Sequence, residues 1–167
     1  LGEGSFVFSA SIRDYATGPV QLSAANLTVS GNSAITSAVL EGGSGRAGDV
    51  DVKLRERLWV TGDSYISVST DTAAEVGDLR IQAGQVLIDQ NGRLNAYTAA
   101  GGRSGRILID ARDAVRIQEQ GKVWSNAIAA GDASDIEVRA PRITLASNGS
   151  VAATTQETGK GGSIRLE

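Results

Sequence analysis

Gly77-Asp78-Leu79-Arg80-Ile81-Gln82-Ala83 is one of six versions of a single stretch in this 167-residue chain. The others are Gly48-Asp49-Val50-Asp51-Val52-Lys53-Leu54, Gly105-Arg106-Ile107-Leu108-Ile109-Asp110-Ala111 and Ser134-Asp135-Ile136-Glu137-Val138-Arg139-Ala140. A last copy is cut short at Gly162-Ser163-Ile164-Arg165-Leu166-Glu167, and a weaker first copy is Gly18-Pro19-Val20-Gln21-Leu22-Ser23-Ala24. Repeats therefore start at 18, 48, 77, 105, 134 and 162, with steps of 28–30 residues. A period that steady predicts a solenoid, in which each repeat buries its apolar face against its neighbours.

Within each copy the second and fourth residues after the opening position are aliphatic, as in Leu79/Ile81 and Ile107/Ile109. Period 2 puts both on one face of a strand, pointing inward. A second strand is predicted after a short corner, at Leu27-Thr28-Val29, Leu58-Trp59-Val60, Val86-Leu87-Ile88, Val115-Arg116-Ile117 and Ile143-Thr144-Leu145. A third follows at Ile35-Thr36-Ser37, Ile66-Ser67-Val68, Leu94-Asn95-Ala96, Val123-Trp124-Ser125 and Val151-Ala152-Ala153. Between second and third strands lie Asn32-Ser33, Gly62-Asp63, Asn91-Gly92, Gln120-Gly121 and Asn148-Gly149; Asn and Gly tolerate left-handed backbone. Small, Gly-rich connections of varied sequence close each repeat. The expected fold is all-β: a parallel β-helix of about five coils with three short strands per coil. Residues 1–17 lack the clean repeat and are read as the tail of a preceding coil or as a cap.

Outward residues test this reading independently. Three outward rows run Asp51, Arg80, Leu108, Glu137, Arg165; Lys53, Gln82, Asp110, Arg139, Glu167; and Arg46, Glu75, Arg103, Asp132, Lys160. Neighbours in each row are mostly opposite in sign or neutral. Coils stacked in register require that alternation, because like charges on adjacent strands repel.

The grammar Gly-Asp-Ile/Val-x-Ile/Val-x-Ala, Leu-x-Ile, Asn-Gly-x-Leu-x-Ala and a Gly-rich return resembles the repeats of filamentous-haemagglutinin-like large exoproteins. These are the adhesins of two-partner secretion. The resemblance covers about residues 18–167. It implies a right-handed β-helix shaft, secretion to the cell surface, and a role in adhesion or surface structure. The N-terminal secretion domain of that family has no counterpart here.

Composition limits the chemistry. With 16 basic and 19 acidic residues the chain has no electrostatic footprint for nucleic acid, and no apolar run is long enough to insert in a membrane. Cys, His and Met are absent, which excludes disulfides, Cys- or His-ligated metals and Ser-His-Asp catalysis. Lack of oxidisable sulfur suits an extracellular setting. The missing initiator Met is expected of a piece of a longer or processed chain. No cofactor, metal site or catalytic residue is expected. Asp49, Asp78 and Asp135 share one repeat position, interrupted by Arg106, and are read as caps for backbone N–H groups at the corner. Gly48, Gly77, Gly105 and Gly162 are read as coil-opening residues.

Trp59 and Trp124 alternate with inward residues and so face outward; with Tyr65 and Tyr97 they are the candidate contacts for a glycan or protein receptor. The tryptophans belong to different strands two coils apart, which does not build a single platform. The favoured function is a structural or adhesive shaft of a secreted surface protein, able to associate end to end into a filament. The alternative is a polysaccharide-binding or polysaccharide-degrading β-helix, a lyase or a tailspike-type depolymerase.

Overall fold

The computed structural model describes residues 1–167, in strands with no helix. The strands are β1 (Phe6–Ser11), β2 (Val20–Val29), β3 (Ala34–Val39), β4 (Val50–Val60), β5 (Tyr65–Thr70), β6 (Leu79–Ile88) and β7 (Arg93–Thr98). They continue with β8 (Ile107–Ile117), β9 (Lys122–Ala127), β10 (Ile136–Arg139), β11 (Ile143–Leu145), β12 (Ser150–Thr155) and β13 (Ile164–Leu166). Every pairing is parallel, and like strands stack on like. One sheet has the order β1-β3-β5-β7-β9-β12; the other has β13-β10-β8-β6-β4-β2, with β11 beside β8. The chain is a parallel β-solenoid.

The repeat register is reproduced residue for residue: Val50 pairs with Leu79, Leu79 with Ile107, Ile107 with Ile136 and Ile136 with Ile164. The inward side chains form one continuous core that contains Val52, Ile81, Ile109, Leu58, Val86, Ile66, Leu94 and Val123. Middle coils bury these residues almost completely, whereas Ile164 and Leu166 in the last strand remain exposed. Each fully buried aliphatic contributes about 1.5–3 kcal/mol by leaving water.

Two features differ from the expectation. The first and second strands of a coil are not separate in four coils. They are one bent strand, β2, β4, β6 or β8, with register shifts at the bend where Ala24 gives way to Asn26 and Lys53 to Arg57. Only the fifth coil splits into β10 and β11. Pro141 stands at that bend, and proline has no N–H to donate to a ladder. The solenoid also has about six turns rather than five, because β1 pairs with β3 in register from Phe6–Ala34 to Ser11–Val39. Residues 1–17 thus supply the last strand of one more coil.

The corner between the bent strand and the short one carries two successive left-handed residues. They are Gly31-Asn32, Gly62-Asp63, Gln90-Asn91, Glu119-Gln120 and Ser147-Asn148, with φ between 44° and 66°. The second of each pair is the residue identified from sequence. Of the first members only Gly62 was identified as well; Gln90, Glu119 and Ser147 escaped notice because Gln, Glu and Ser carry no turn signature. The glycine after the pair is needed for space, not for φ: a Cβ on Gly92 would lie 2.2 Å from Val60 O.

Candidate functional site

The acidic row is bonded both to backbone and to guanidinium groups. Asp49 Oδ1 accepts the backbone N–H of Asp78 at 3.0 Å, Asp78 Oδ1 that of Arg106 at 3.1 Å, and Asp135 Oδ1 that of Ser163 at 2.7 Å. Each carboxylate therefore caps the corner of the next coil. The remaining oxygens of Asp49 and Asp78 take guanidinium groups. Arg80 lies 2.7 Å from Asp49, 2.7 Å from Asp78 and 3.5 Å from Asp51, and Arg106 lies 2.7 Å from Asp78. Burial pushes the Asp49 carboxyl up, but the bonds from Arg80 and the Asp78 amide outweigh it and hold the group below its ordinary range. The hydrogen bonds to Asp49 and to Asp78 raise Arg80 and Arg106, respectively.

Arg106, which interrupts the row of aspartates in sequence, is thus the counterion that the row requires. No three acidic groups converge in a way that would hold a metal ion. A depression of ≈ 420 Å³ beside this row is lined by Arg46, Arg103 and Arg106 against Glu75, Asp78 and Asp135, so its charges balance. The outer rows are less regular. Asp51–Arg80, Arg46–Glu75 (4.0 Å) and Arg139–Glu167 (3.3 Å) bridge coils, but Arg165 pairs with Glu167 along its own strand rather than with Glu137.

The opening glycines are positions of close approach between coils. A Cβ would lie 2.5 Å from Gly18 O at Gly48, 2.6 Å from Gly48 O at Gly77, 1.7 Å from Gly77 O at Gly105 and 2.2 Å from Ser134 O at Gly162. Backbone rests on backbone, and none has a positive φ. The Gly-rich returns behave alike: Gly102, Gly131 and Gly159 sit on Ala74, Gly102 and Gly131. Their sequences vary, yet they are laddered by bonds such as Ala47 N to Glu75 O and Ser104 N to Asp132 O, both at 3.0 Å.

The aromatic candidates divide between the two sheets. Trp59 belongs to β4, pairs in register with Leu87, lies under the Arg57 guanidinium at 5.8 Å and donates its indole N–H to Asp89 at 2.9 Å. Its polar atom and one ring face are already engaged. Tyr65, Tyr97 and Trp124 occupy the outer face of the other sheet, on β5, β7 and β9. Tyr97 pairs with Asn126, two residues from Trp124, so the two rings are diagonal neighbours. Phe6 and Phe8 join them on β1, 60% and 68% exposed. Apart from Trp59 and Tyr15, every aromatic residue of the chain is on this face. The two tryptophans do not share a platform, as expected, but Trp124 neighbours Tyr97 diagonally, and Tyr65 lies on the same face two strands from Trp124.

Sequence reading missed the company these rings keep. Arg93 lies over Tyr65 and Lys122 over Trp124, each at 5.8 Å, and neither cation has a carboxylate partner. Arg93 pairs with Lys122 in the ladder, so the two charges are adjacent. Arg93 Nε is buried with no acceptor. Between Phe8 and Asn95 the column is floored by Thr36 and Ser67, and a shallow trough of ≈ 330 Å³ runs there past Tyr65, Arg93 and Tyr97. None of the six strands of this sheet contains Asp or Glu. The signal was available in the outward positions of the third strand, read coil by coil.

Comparison with known protein families, with curated proteins and with solved structures finds no match to this chain.

Proposed function

We propose that this chain is a rigid, non-catalytic shaft segment of a secreted surface protein, which spans distance and presents its outer faces for adhesion. The observation that carries this reading is the use made of the charged residues. The Asp49–Arg80–Asp78–Arg106 network binds coil to coil, and its carboxylates are spent on backbone caps and guanidinium groups. A lyase or hydrolase needs an acid–base pair left free beside a groove. The repeat grammar shared with large exoproteins supports the same reading, as does a composition free of Cys, His and Met. Copies associate end to end in this reading, the edge strand of one stack pairing with that of the next.

Incubation with polygalacturonate, heparin and dextran, followed by an assay for new reducing ends or unsaturated products, separates shaft from enzyme. No product is expected, and release from any polymer overturns the reading. Negative-stain microscopy of concentrated protein reads the assembly, with fibres one solenoid wide as the expected species and uniformly short monomers as the contrary result.

A further inference from the structure

We propose that the outer face of the sheet β1-β3-β5-β7-β9-β12 is a binding surface for an acidic polysaccharide, with Trp124, Tyr97 and Tyr65 stacking on sugar rings and Arg93 and Lys122 receiving the acid groups. The inference goes beyond the shaft reading and does not depend on it, since a shaft can be rigid with any outer face.

Charge complementarity comes first. The chain is acidic overall, yet this sheet has no acidic residue and carries two adjacent cations without counterions. The cations paired with carboxylates, Arg46, Arg80, Arg106, Arg139 and Arg165, all lie off this sheet, and what sets Arg93 and Lys122 apart from the other unpaired cations is a sheet free of acidic residues. Arg93 and Lys122 are instead poised over aromatic rings, which leaves them to be paired from outside. Arg93 Nε has no acceptor inside the protein, so the side chain gains by turning toward one.

The polar groups suit a hydroxyl-rich ligand. Trp124 is fixed by its indole N–H, which donates to Thr154 at 3.0 Å, so its ring is held in place before any ligand arrives. Asn95 donates to Ser67 at 3.0 Å, leaving its carbonyl as an acceptor, while the buried Asn126 accepts from Thr154 at 3.1 Å and so anchors the hydroxyl that holds the Trp124 indole. Aromatic faces in line with fixed amides and a shallow floor match a ring with one apolar face and hydroxyls at its rim. Single-stranded nucleic acid also stacks on aromatic rings, but it needs a basic groove that follows every phosphate, and two cations do not supply one.

The test is binding of the whole chain to polygalacturonate, heparin, dextran and a single-stranded oligothymidylate, by calorimetry at low salt and again at high salt. Polygalacturonate or heparin should bind, with affinity falling as salt rises. Preference for one over the other tells carboxylate from sulfate as the recognised group. The double variant R93Q/K122Q should lose about tenfold or more in affinity, the scale of one charge-assisted bond. W124A should lose a similar factor and W59A should lose none. All of these side chains point outward, and circular dichroism checks that each variant stays folded. Equal binding of dextran, tighter binding of the oligothymidylate, unchanged affinity in R93Q/K122Q, or no binding of either acidic polymer overturns the proposal. So does a change of oligomeric state in R93Q/K122Q, which would assign the face to a second copy of the chain.

Discussion

At the scale of single residues, the solenoid is decided by what coils leave room for. Gly105 and Gly101 make the comparison directly. A Cβ on Gly105 would meet Gly77 O at 1.7 Å, whereas one on Gly101 would meet nothing within 4 Å. Gly105→Ala should cost about 1–3 kcal/mol by forcing two backbones apart, while Gly101→Ala should change stability by no more than about 1 kcal/mol, in the stabilising direction. Urea denaturation of the two variants measures both, and equal midpoints would contradict the stacking account. The buried hydroxyls obey a second rule. Thr17 and Ser37 bond at 2.7 Å, and Ser104 and Ser125 at 2.8 Å, while the equivalent pairs in other coils, such as Val76 with Ala96, are wholly apolar. Ser104 Oγ also takes the Ser134 amide at 2.9 Å. Ser104→Ala should therefore cost about 1–3 kcal/mol, and adding Ser125→Ala should cost less than the two single changes summed. A double-mutant cycle that comes out additive would show the hydroxyls to be independent.

At the scale of the element, the acidic corner is a cap shared between coils, and its strength depends on pH. The Asp49 carboxyl lies below its ordinary value of 3.8 in the folded protein. A depressed folded value means that the unfolded chain takes up the proton first as pH falls. The stabilisation is complete above about pH 5, shrinks through the ordinary value and is gone below the folded one. Asp49→Asn should flatten the loss of stability between pH 5 and pH 3, as read by thermal melts at each pH, and parallel losses in both proteins would place the acid sensitivity elsewhere. Sequence showed this element in part. The spacing of Asp49, Asp78 and Asp135 gave the capping role, but the row looked broken at Arg106, because a list of like residues hides the counterion between them. The bend was legible only as a gap between two apolar runs. Whether hydrogen bonding passes through it depends on a backbone N–H, which Pro141 lacks and the other coils keep.

Taken whole, the molecule is a stack whose period was plain in sequence and whose faces were not. The 28–30-residue steps place every inward aliphatic correctly, because core stacking tolerates no slip. Faces emerge only when residues from different coils are summed, and Trp124, Tyr97 and Tyr65 are separated by 27 residues or more. Since the backbone ladder joins each coil only to its immediate neighbours, one should be removable. Deleting residues 77–104 joins Val76 to Gly105 and brings Gly105 onto Gly48. The shortened chain should keep its β-sheet circular dichroism per residue, melt at lower temperature and scatter X-rays as a rod shorter by about 4.8 Å. Loss of the β signal would mean that a particular coil, not the stack, organises the fold.

One contact sets a boundary on such editing. Arg112 reaches over Gly84, where a Cβ would meet its guanidinium at 2.9 Å, and donates to Arg55 O at 2.5 Å, two coils away. Arg55-Glu56-Arg57 and Arg112-Asp113-Ala114 are the bends with one residue more than their neighbours, at Gly84-Gln85 and Ala25-Asn26. Long and short bends therefore alternate, and an arm from one long bend clasps the other across the short one between them. The unit that a gene can copy without a mismatch is thus a pair of coils. Reach gained by duplication would grow in double steps, as a telescoping rule extends by its joints and not by its graduations.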